Sequence, residues 1–458
     1  MRLPHLLLAF LGITSASPVT VDADKGTGKV SYDGYRVYRV PLPATHLHTD
    51  EYPFSFPGIE LQRRRRFGQW TVDIAIAPSD VSAFFYEASS SYGSIDILEL
   101  LSDDLGKDLS VELTPSSSSS FFSSDTETQK KKEEKDRKEG ALPSLSWFDA
   151  YHPYAEHLTY LSDLRSAFPN NSELFAAGKS FEGRPLQGIH LWGKGGKGAK
   201  PAILFHGNVH AREWITSKVW GGGKQVVEYI LYQLISGYTN NDKLVQKVLD
   251  NYDFYVIPVV NPDGFIYTQT TDRLWRKNRQ VRSNTTFIGT DINRNWVVGW
   301  GGTGGSSSVP SSETFAGFSP HDTPETSSLA SFALTLTRSH GIKLYIDWHS
   351  YAQVILLSYG YTCTSYPPNI AEQEALAKGI AAAIRKPYNT SFDYGPGCEV
   401  LYQSNGNGRD YMTDVARAQF GWGIELRDTK YGFVLPPDQI LPSGVEIWEG
   451  LKYAWAQF

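Results

Sequence analysis

Pro201-Ala-Ile-Leu-Phe205-His-Gly-Asn-Val-His210-Ala-Arg-Glu213-Trp214 runs from an apolar stretch straight into a histidine and a glutamate three residues apart. The apolar part reads as a buried strand, and the pair stands just past its end. A neutral imidazole and a carboxylate at this spacing suit one borderline-soft cation. Zinc takes that mixture of nitrogen and oxygen, and a catalytic zinc site uses three protein ligands and keeps one position open. A second apolar run, Leu344-Tyr-Ile-Asp-Trp-His349-Ser-Tyr351, ends in another histidine. His210, Glu213 and His349 therefore make a three-ligand candidate built on two strand ends.

Outward from these two segments the texture is that of a packed α/β domain, from about Leu145 to Phe458. Trp147 to Phe168 has helical spacing, as do Gln225 to Ser236 and Glu325 to Arg338. Strand-like runs stand at Leu186–Leu191, Ala202–Phe205, Tyr252–Val260, Leu344–Asp347 and Trp422–Leu426. Alternation of strands with helices predicts a mixed, mainly parallel twisted sheet covered on both faces. Ligands of such sheets sit beyond the carboxyl ends of the strands, where His210, His349 and Glu425 all fall.

The first part of the chain reads differently. Arg2 and His5 precede the apolar run Leu6 to Ile13, and Ser15-Ala16-Ser17 follows, which predicts a signal peptide over 1–17 and a secreted, extracellular protein. Lys29–Leu42 and Phe67–Ala77 alternate as strands, and Leu98–Leu113 is expected to add a strand or two, giving a small α+β module over 18–114. Residues 115–144 hold a serine tract and the charged run Lys130 to Lys138, which cannot bury apolar surface and read as a solvated linker. This linker, or the basic run Arg63-Arg64-Arg65-Arg66, is a candidate for proteolytic cutting that releases the larger domain, residues 145–458.

A net charge of −6 gives no reason to expect nucleic acid as a partner. No stretch after the leader is long and apolar enough to span a bilayer, so no membrane partner is expected either. Cys363 and Cys398 are the two cysteines, and in an oxidising compartment they are expected to form one disulfide. Sequons at Asn170, Asn284 and Asn389 are compatible with glycosylation.

Further segments follow the histidine–glutamate pair in order: Asn261-Pro-Asp-Gly264, Arg273-Leu-Trp-Arg276-Lys-Asn278, Thr290-Asp-Ile-Asn293-Arg294-Asn-Trp296, Leu401-Tyr402-Gln403 and Ile424-Glu425-Leu-Arg-Asp428. With His210-Ala-Arg-Glu-Trp-Ile-Thr216 and Asp347-Trp-His-Ser-Tyr351, they resemble the zinc metallocarboxypeptidases of the pancreatic A/B type. The resemblance implies the zinc carboxypeptidase fold, preceded by an antiparallel prodomain that caps the active site. It implies one zinc ion per chain on His210, Glu213 and His349, Glu425 as general base, and Arg276 stabilising the oxyanion. It implies that Asn293, Arg294 and Tyr402 bind the terminal carboxylate, with Arg212 and Tyr351 among the substrate contacts. Asp291 and Asp347 stand beside these motifs and are expected to orient them.

Counting on from Tyr402 by the family's spacing, Arg409 falls at the base of the side-chain pocket, with Ser404, Gly360 and Leu356 lining the rest. An arginine there predicts preference for acidic C-terminal residues, unless it turns outward or pairs with Asp410. The Cys363–Cys398 disulfide matches a bridge of some family members and would stiffen this wall. Trp220-Gly-Gly-Gly-Lys224 interrupts an expected helix, and Thr429-Lys430-Tyr431 is one residue shorter than the usual loop. The reading is a secreted precursor of a zinc exopeptidase, monomeric, acting on peptide or protein C-termini after an activating protease has cut it. The alternatives are a catalytically inactive binding or regulatory relative, or a hydrolase of another amide.

Overall fold

The computed structural model describes residues 28–42, 58–66, 69–92, 98–112, 140–148, 151–217, 226–427, 430 and 432–458. The expected signal peptide, residues 113–114 of the N-terminal module and 115–139 of the linker, the glycine-interrupted segment 220–224, Asp428, Thr429 and Tyr431 lie outside them.

The N-terminal module is a sheet of β1 (Arg36–Pro41), β2 (Ile59–Arg66), β3 (Gln69–Ile76) and β4 (Glu99–Ser102) in the order β2-β3-β1-β4. Every pairing in it is antiparallel. Phe84, from the helix Val81–Tyr92, packs with Tyr38, Val40, Val72 and Ile74 as its core. Leu98–Leu113 was expected to add a strand or two; its described residues hold strand β4 and then, unforeseen, the helix Leu105–Glu112. Leu105 of that helix is buried among residues of both modules, support that a local pattern cannot reveal. Arg63 to Arg66 lies in β2, hydrogen-bonded along β3, with the Arg63 and Arg64 side chains buried.

The larger domain follows the helix Tyr154–Ala167 with β5 (Ser172–Lys179), β6 (Pro185–Leu191), β7 (Ala202–Gly207), β8 (Asp253–Ile257), β9 (Ile342–Ser350), β10 (Val354–Leu357), β11 (Asp393–Pro396) and β12 (Phe420–Leu426). Their order in the sheet is β11-β10-β12-β9-β7-β8-β6-β5. The pairs β10·β11, β12·β9, β7·β8 and β7·β9 are parallel, and the other three are antiparallel. The sheet is thus mixed and mainly parallel, as expected. The helix pattern from Trp147 resolves into a short turn, Leu145–Phe148, and the helix from Tyr154.

Strand periodicity assigns the two faces. Ile203 and Phe205 of β7, Leu344, Ile346 and Trp348 of β9, and Trp422, Ile424 and Leu426 of β12 join one large apolar cluster. The helices Val226–Thr239, Ile370–Tyr388 and Ile440–Gln457 cover that face. Leu204 and Tyr345 point the other way, toward the helix Pro324–Ser339. Hence Asp347, His349 and Glu425, at the alternate positions, share the second face. Among the described residues no helix is long and apolar enough to cross a membrane.

The two modules meet over the carboxyl ends of the central strands. Tyr32, Val37, Leu61 and Leu105 cluster with Leu274, Tyr351 and Phe433 of the larger domain, and all of these but Tyr32 line a cavity of about 150 Å³. Glu112 accepts from Arg273 Nε (2.7 Å) and Nη2 (2.5 Å), and the Arg273 guanidinium lies 3.4 Å from the Trp214 ring centre. Asp73, gripped by Arg39 at 2.8 and 2.9 Å, accepts from the Tyr351 hydroxyl at 2.8 Å. Tyr32 donates to Asp272 at 2.7 Å.

The core makes a simple demand. Trp348 is fully buried, edge-on to Phe205 with ring centres 5.8 Å apart. Trp348→Ala is expected to destabilise the domain by about 3–5 kcal/mol in denaturant unfolding, and Trp348→Phe by clearly less.

Candidate active site

His210 reaches its place through a tight turn. β7 stops at Gly207, and Asn208 adopts a left-handed conformation (φ 56°) that asparagine tolerates better than most residues. The Asn208 amide donates to the carbonyls of His210 and Ala211, both at 3.3 Å, and Ala211 N is tied to Arg276 O at 3.0 Å. Glu213 then swings back under His210. The register of β12 on β9 sets Glu425 directly beside His349.

His210 Nδ1 lies 2.6 Å from Glu213 Oε1, His349 Nδ1 lies 2.9 Å from Glu213 Oε2, and the two Nδ1 atoms are 3.2 Å apart. All three side chains are buried, and their candidate ligand atoms lie within 4.8 Å of one another. The opposite ring nitrogens are held from behind: His210 Nε2 by Asp291 Oδ1 (3.1 Å) and His349 Nε2 by Asp347 Oδ2 (2.7 Å). A carboxylate behind each imidazole puts the proton on Nε2 and turns the Nδ1 lone pair toward a cation. The donor set fits zinc, two imidazole nitrogens and one carboxylate.

The charges are arranged to match. Burial would raise the Glu213 carboxyl, but His210 and His349 hold it well below the usual carboxylate range. For Glu425 the balance goes the other way: burial, then the nearby charge of Glu213, outweighs His349 and Arg276 and pushes it up to about 7. Its Oε2 is buried without a hydrogen-bond partner. Asp291 is fully buried, yet Arg276, His210 and Arg294 keep it ionised. It accepts from Arg276 Nε (3.1 Å) and Nη2 (2.9 Å), and it caps the turn Ile292–Arg294 through Asn293 N at 2.8 Å. Arg276 Nη1 remains, 3.9 Å from Glu213 Oε1.

The other residues singled out in the sequence converge on the same end of the sheet. Asn293 Nδ2 is 3.0 Å from His349 Nε2, and Asn293 Oδ1 accepts from Gly408 N at 2.8 Å. Arg294 donates to Asn293 O at 2.9 Å, while its buried Nε has no partner. Tyr402 is half-buried, its ring centre 5.9 Å from the Arg294 guanidinium carbon. Arg212 Nη2 donates to Leu61 O of the N-terminal module at 2.9 Å, and its guanidinium lies 4.6 Å from the Phe433 ring centre. Tyr351 packs edge-on against Phe433 with ring centres 4.8 Å apart.

Arg409, in the short helix Gly408–Asp414, points inward and is buried. A Cβ on Gly360 or Gly397 would collide with its guanidinium, so two glycines make its bed. Cys363 and Cys398 are joined, tying together the segments that carry those glycines. Asp410 is occupied elsewhere: it accepts from Gly360 N, Tyr361 N and Asn407 Nδ2, and stays 3.8 Å from Arg409 Nε. The sequence reading missed His206, which lies beside Asp347. The available signal was its position on β7, two residues on from Leu204 and hence on the same face as Tyr345.

A family model described as zinc carboxypeptidase matches residues 157–450. The chain is 39% identical over 423 residues to a metallocarboxypeptidase A-like protein of Trichophyton verrucosum, covering 92% of this chain and 93% of that one. It is 37% identical over 309 residues to carboxypeptidase A2 of Rattus norvegicus, 67% of this chain and 69% of that one. The crystal structure of the carboxypeptidase A from Helicoverpa armigera superposes with a TM-score of 0.70 at 26% identity, covering 93% of this chain and 97% of that one.

Asp291→Ala would unseat His210 and leave Arg276 a buried cation without its partner. Metal affinity, followed by chelator competition, is expected to fall about 10–100-fold.

Proposed function

The chain belongs to the zinc carboxypeptidase family and is a metallocarboxypeptidase, and on that premise we propose a residue-level mechanism, a precursor form and a substrate preference. The observation that carries the proposal is the convergence of His210 Nδ1, His349 Nδ1 and the Glu213 carboxylate, with Glu425 beside His349 on the next strand. His210, Glu213 and His349 would hold the ion. Zinc bound there supplies a Lewis acid that lowers the pKa of a water and polarises the scissile carbonyl.

Glu425 takes the proton of the attacking water and hands it to the leaving amine. Its buried, unpartnered oxygen and raised pKa suit a base that must also act as an acid. Arg276, held by two bonds to Asp291, brings a fixed positive charge to the developing oxyanion. Asn293, Arg294 and Tyr402 bind the free C-terminal carboxylate, for which the planar arginine fork is well shaped. That contact confines cleavage to the last peptide bond.

Arg409 sets the preference for an acidic last residue. Its donors are under-used, with Nη2 bonded to Ser404 Oγ at 3.1 Å and Nε buried with no hydrogen bond, only the Asp410 carboxylate at 3.8 Å. A buried cation without full compensation is unfavourable by several kcal/mol, and a substrate carboxylate relieves it. The protein is made as a secreted, monomeric and glycosylated precursor: signal peptide 1–17, activation domain 18–114, linker 115–144 and catalytic domain 145–458. An activating protease cuts between the modules. The hold of Leu61 O on Arg212, and of Asp73 on Tyr351, supports this reading, because both partners are substrate contacts in it.

Linker-cleaved protein with zinc is expected to release Glu from N-blocked dipeptides faster than Phe or Lys. A chelator, or Glu425→Gln at a cost of about 10²–10⁴-fold in rate, is expected to abolish most of that release. Zinc bound with no release from any dipeptide would count against the enzymatic assignment of these residues. Glu425 acts ionised, so kcat/KM rises with pH through its pKa. A cation beside it lowers that pKa, so the acidic limb is expected below the metal-free value of about 7. Arg409→Ile is expected to cut the Glu-to-Phe ratio of kcat/KM by about 2–5 kcal/mol of discrimination. An unchanged ratio would remove Arg409 from the pocket.

A further inference from the structure

β7 and β9 pair in parallel with Leu204 beside Tyr345 and His206 beside Asp347. His206 and Tyr345 are wholly buried, and Asp347 nearly so. None of the residues so far assigned to metal, carboxylate or side-chain recognition accounts for a histidine at this position. Yet the three side chains form a row that ends on His349. The Tyr345 hydroxyl is 2.7 Å from His206 Nε2, His206 Nδ1 is 3.2 Å from Asp347 Oδ1, and Asp347 Oδ2 is 2.7 Å from His349 Nε2.

The protons along this row can be assigned. His349 turns Nδ1 to the ligand cluster, so its Nε2 carries hydrogen; Asp347 Oδ2 at 2.7 Å is the acceptor there, because the Asn293 amide nitrogen at 3.0 Å cannot accept it. Asp347 Oδ1 and His206 Nδ1 are both buried and neither makes a hydrogen bond of good geometry, yet they face each other at 3.2 Å as a close polar pair. Each is the group within reach that can satisfy the other, and buried polar atoms left unpaired are costly. His206 Nδ1 therefore carries hydrogen toward Asp347. That leaves Nε2 to accept, and Tyr345 provides the donor. Burial, together with the charge of Asp347, keeps the Tyr345 phenol protonated. The donors thus gather around one carboxylate, Tyr345 through His206 on one side and His349 on the other.

We infer that His206, seated by Tyr345, is a positioning residue that fixes the Asp347 carboxylate and through it the ring of His349, so that zinc affinity depends on a side chain well away from the ion. The inference rests on the assignment of His349 as a zinc ligand. An Asp347 held at one oxygen only can turn about its terminal torsion, and the His349 ring turns with it. Partners behind a ligating histidine commonly govern metal affinity by about 10–100-fold, and His206 extends that control one residue further back.

The test uses the full chain loaded with zinc and titrated with a competing chelator, alongside the melting temperature of the metal-free protein. His206→Phe fills the space but removes both ring nitrogens, and is expected to weaken zinc binding about 10–100-fold. Tyr345→Phe removes only the hydroxyl and is expected to weaken binding in the same direction by less. The double variant His206→Phe/Asp347→Asn is expected to bind zinc no more weakly than Asp347→Asn alone, because both act through one contact. Zinc affinity within about twofold of the parent for His206→Phe, with only the melting temperature lowered, would overturn the inference and leave His206 a packing residue. If His206→Phe does not fold, an unchanged affinity in Tyr345→Phe would overturn it equally. His349→Ala separates the two levels: zinc retained at parental affinity would remove the ligand assignment itself.

Discussion

The carboxylate of Asp291 is the contact on which the rest of the site leans. One buried group holds the far nitrogen of His210, two nitrogens of Arg276 and the backbone of Asn293. It therefore decides together which imidazole nitrogen of His210 turns toward Glu213 and His349, where the nearest fixed cation sits, and how the Asn293–Arg294 turn is presented. Burial alone would drive such a carboxyl to its neutral form, and the surrounding positive charge is what keeps it ionised. The arrangement is reciprocal. Asp291 is tolerable in the interior because of Arg276, and Arg276 because of Asp291.

Strand alternation divides the labour of the sheet. One face is given wholly to packing, with Trp348, Trp422 and Trp455 among its fully buried side chains. The other face carries His206, Asp347, His349 and Glu425, each of which would be expensive to bury alone. They are affordable there because they face one another across neighbouring strands, and because the N-terminal module closes the end of the sheet above them. Period two thus separates stability from chemistry within single strands, so that Trp348 and His349 can be adjacent in sequence and opposite in role.

Much of this was legible in the residues. The histidine–glutamate pair after an apolar run, and a second histidine at the end of another, are local patterns whose chemistry follows from residue type. The mainly parallel sheet followed from alternating strands and helices. The parts that stayed hidden depend on long-range pairing. Asp291 and Asp347 were expected to orient the motifs, but that Asp291 stands behind His210 depends on loop paths, whereas Asp347 shares a strand face with His349 two residues on. The helix Leu105–Glu112 was taken for strand because what buries Leu105 comes in part from the other module. The short strands β10 and β11 give too little sequence for a period to register. Arg63 to Arg66 was a candidate site of proteolytic cutting, whereas pairing with β3 makes it part of a sheet. The direction of Arg409 was open for the same reason: only the fold brings Gly360 and Gly397 against it.

The place of β12 in the sheet has a bearing on how the molecule is made. It lies between β9 and β10, although β10 and β11 both precede it in the chain. As the polypeptide emerges, the sheet is left open at its middle until the penultimate stretch arrives and is inserted between strands already synthesised. Such non-local closure is slow compared with local pairing, because loop entropy is lost before contacts repay it. A shift of one residue in that insertion would turn Glu425 to the apolar face and present a leucine or isoleucine in its stead. The candidate site is therefore completed late in synthesis, long after the N-terminal module has had the opportunity to fold.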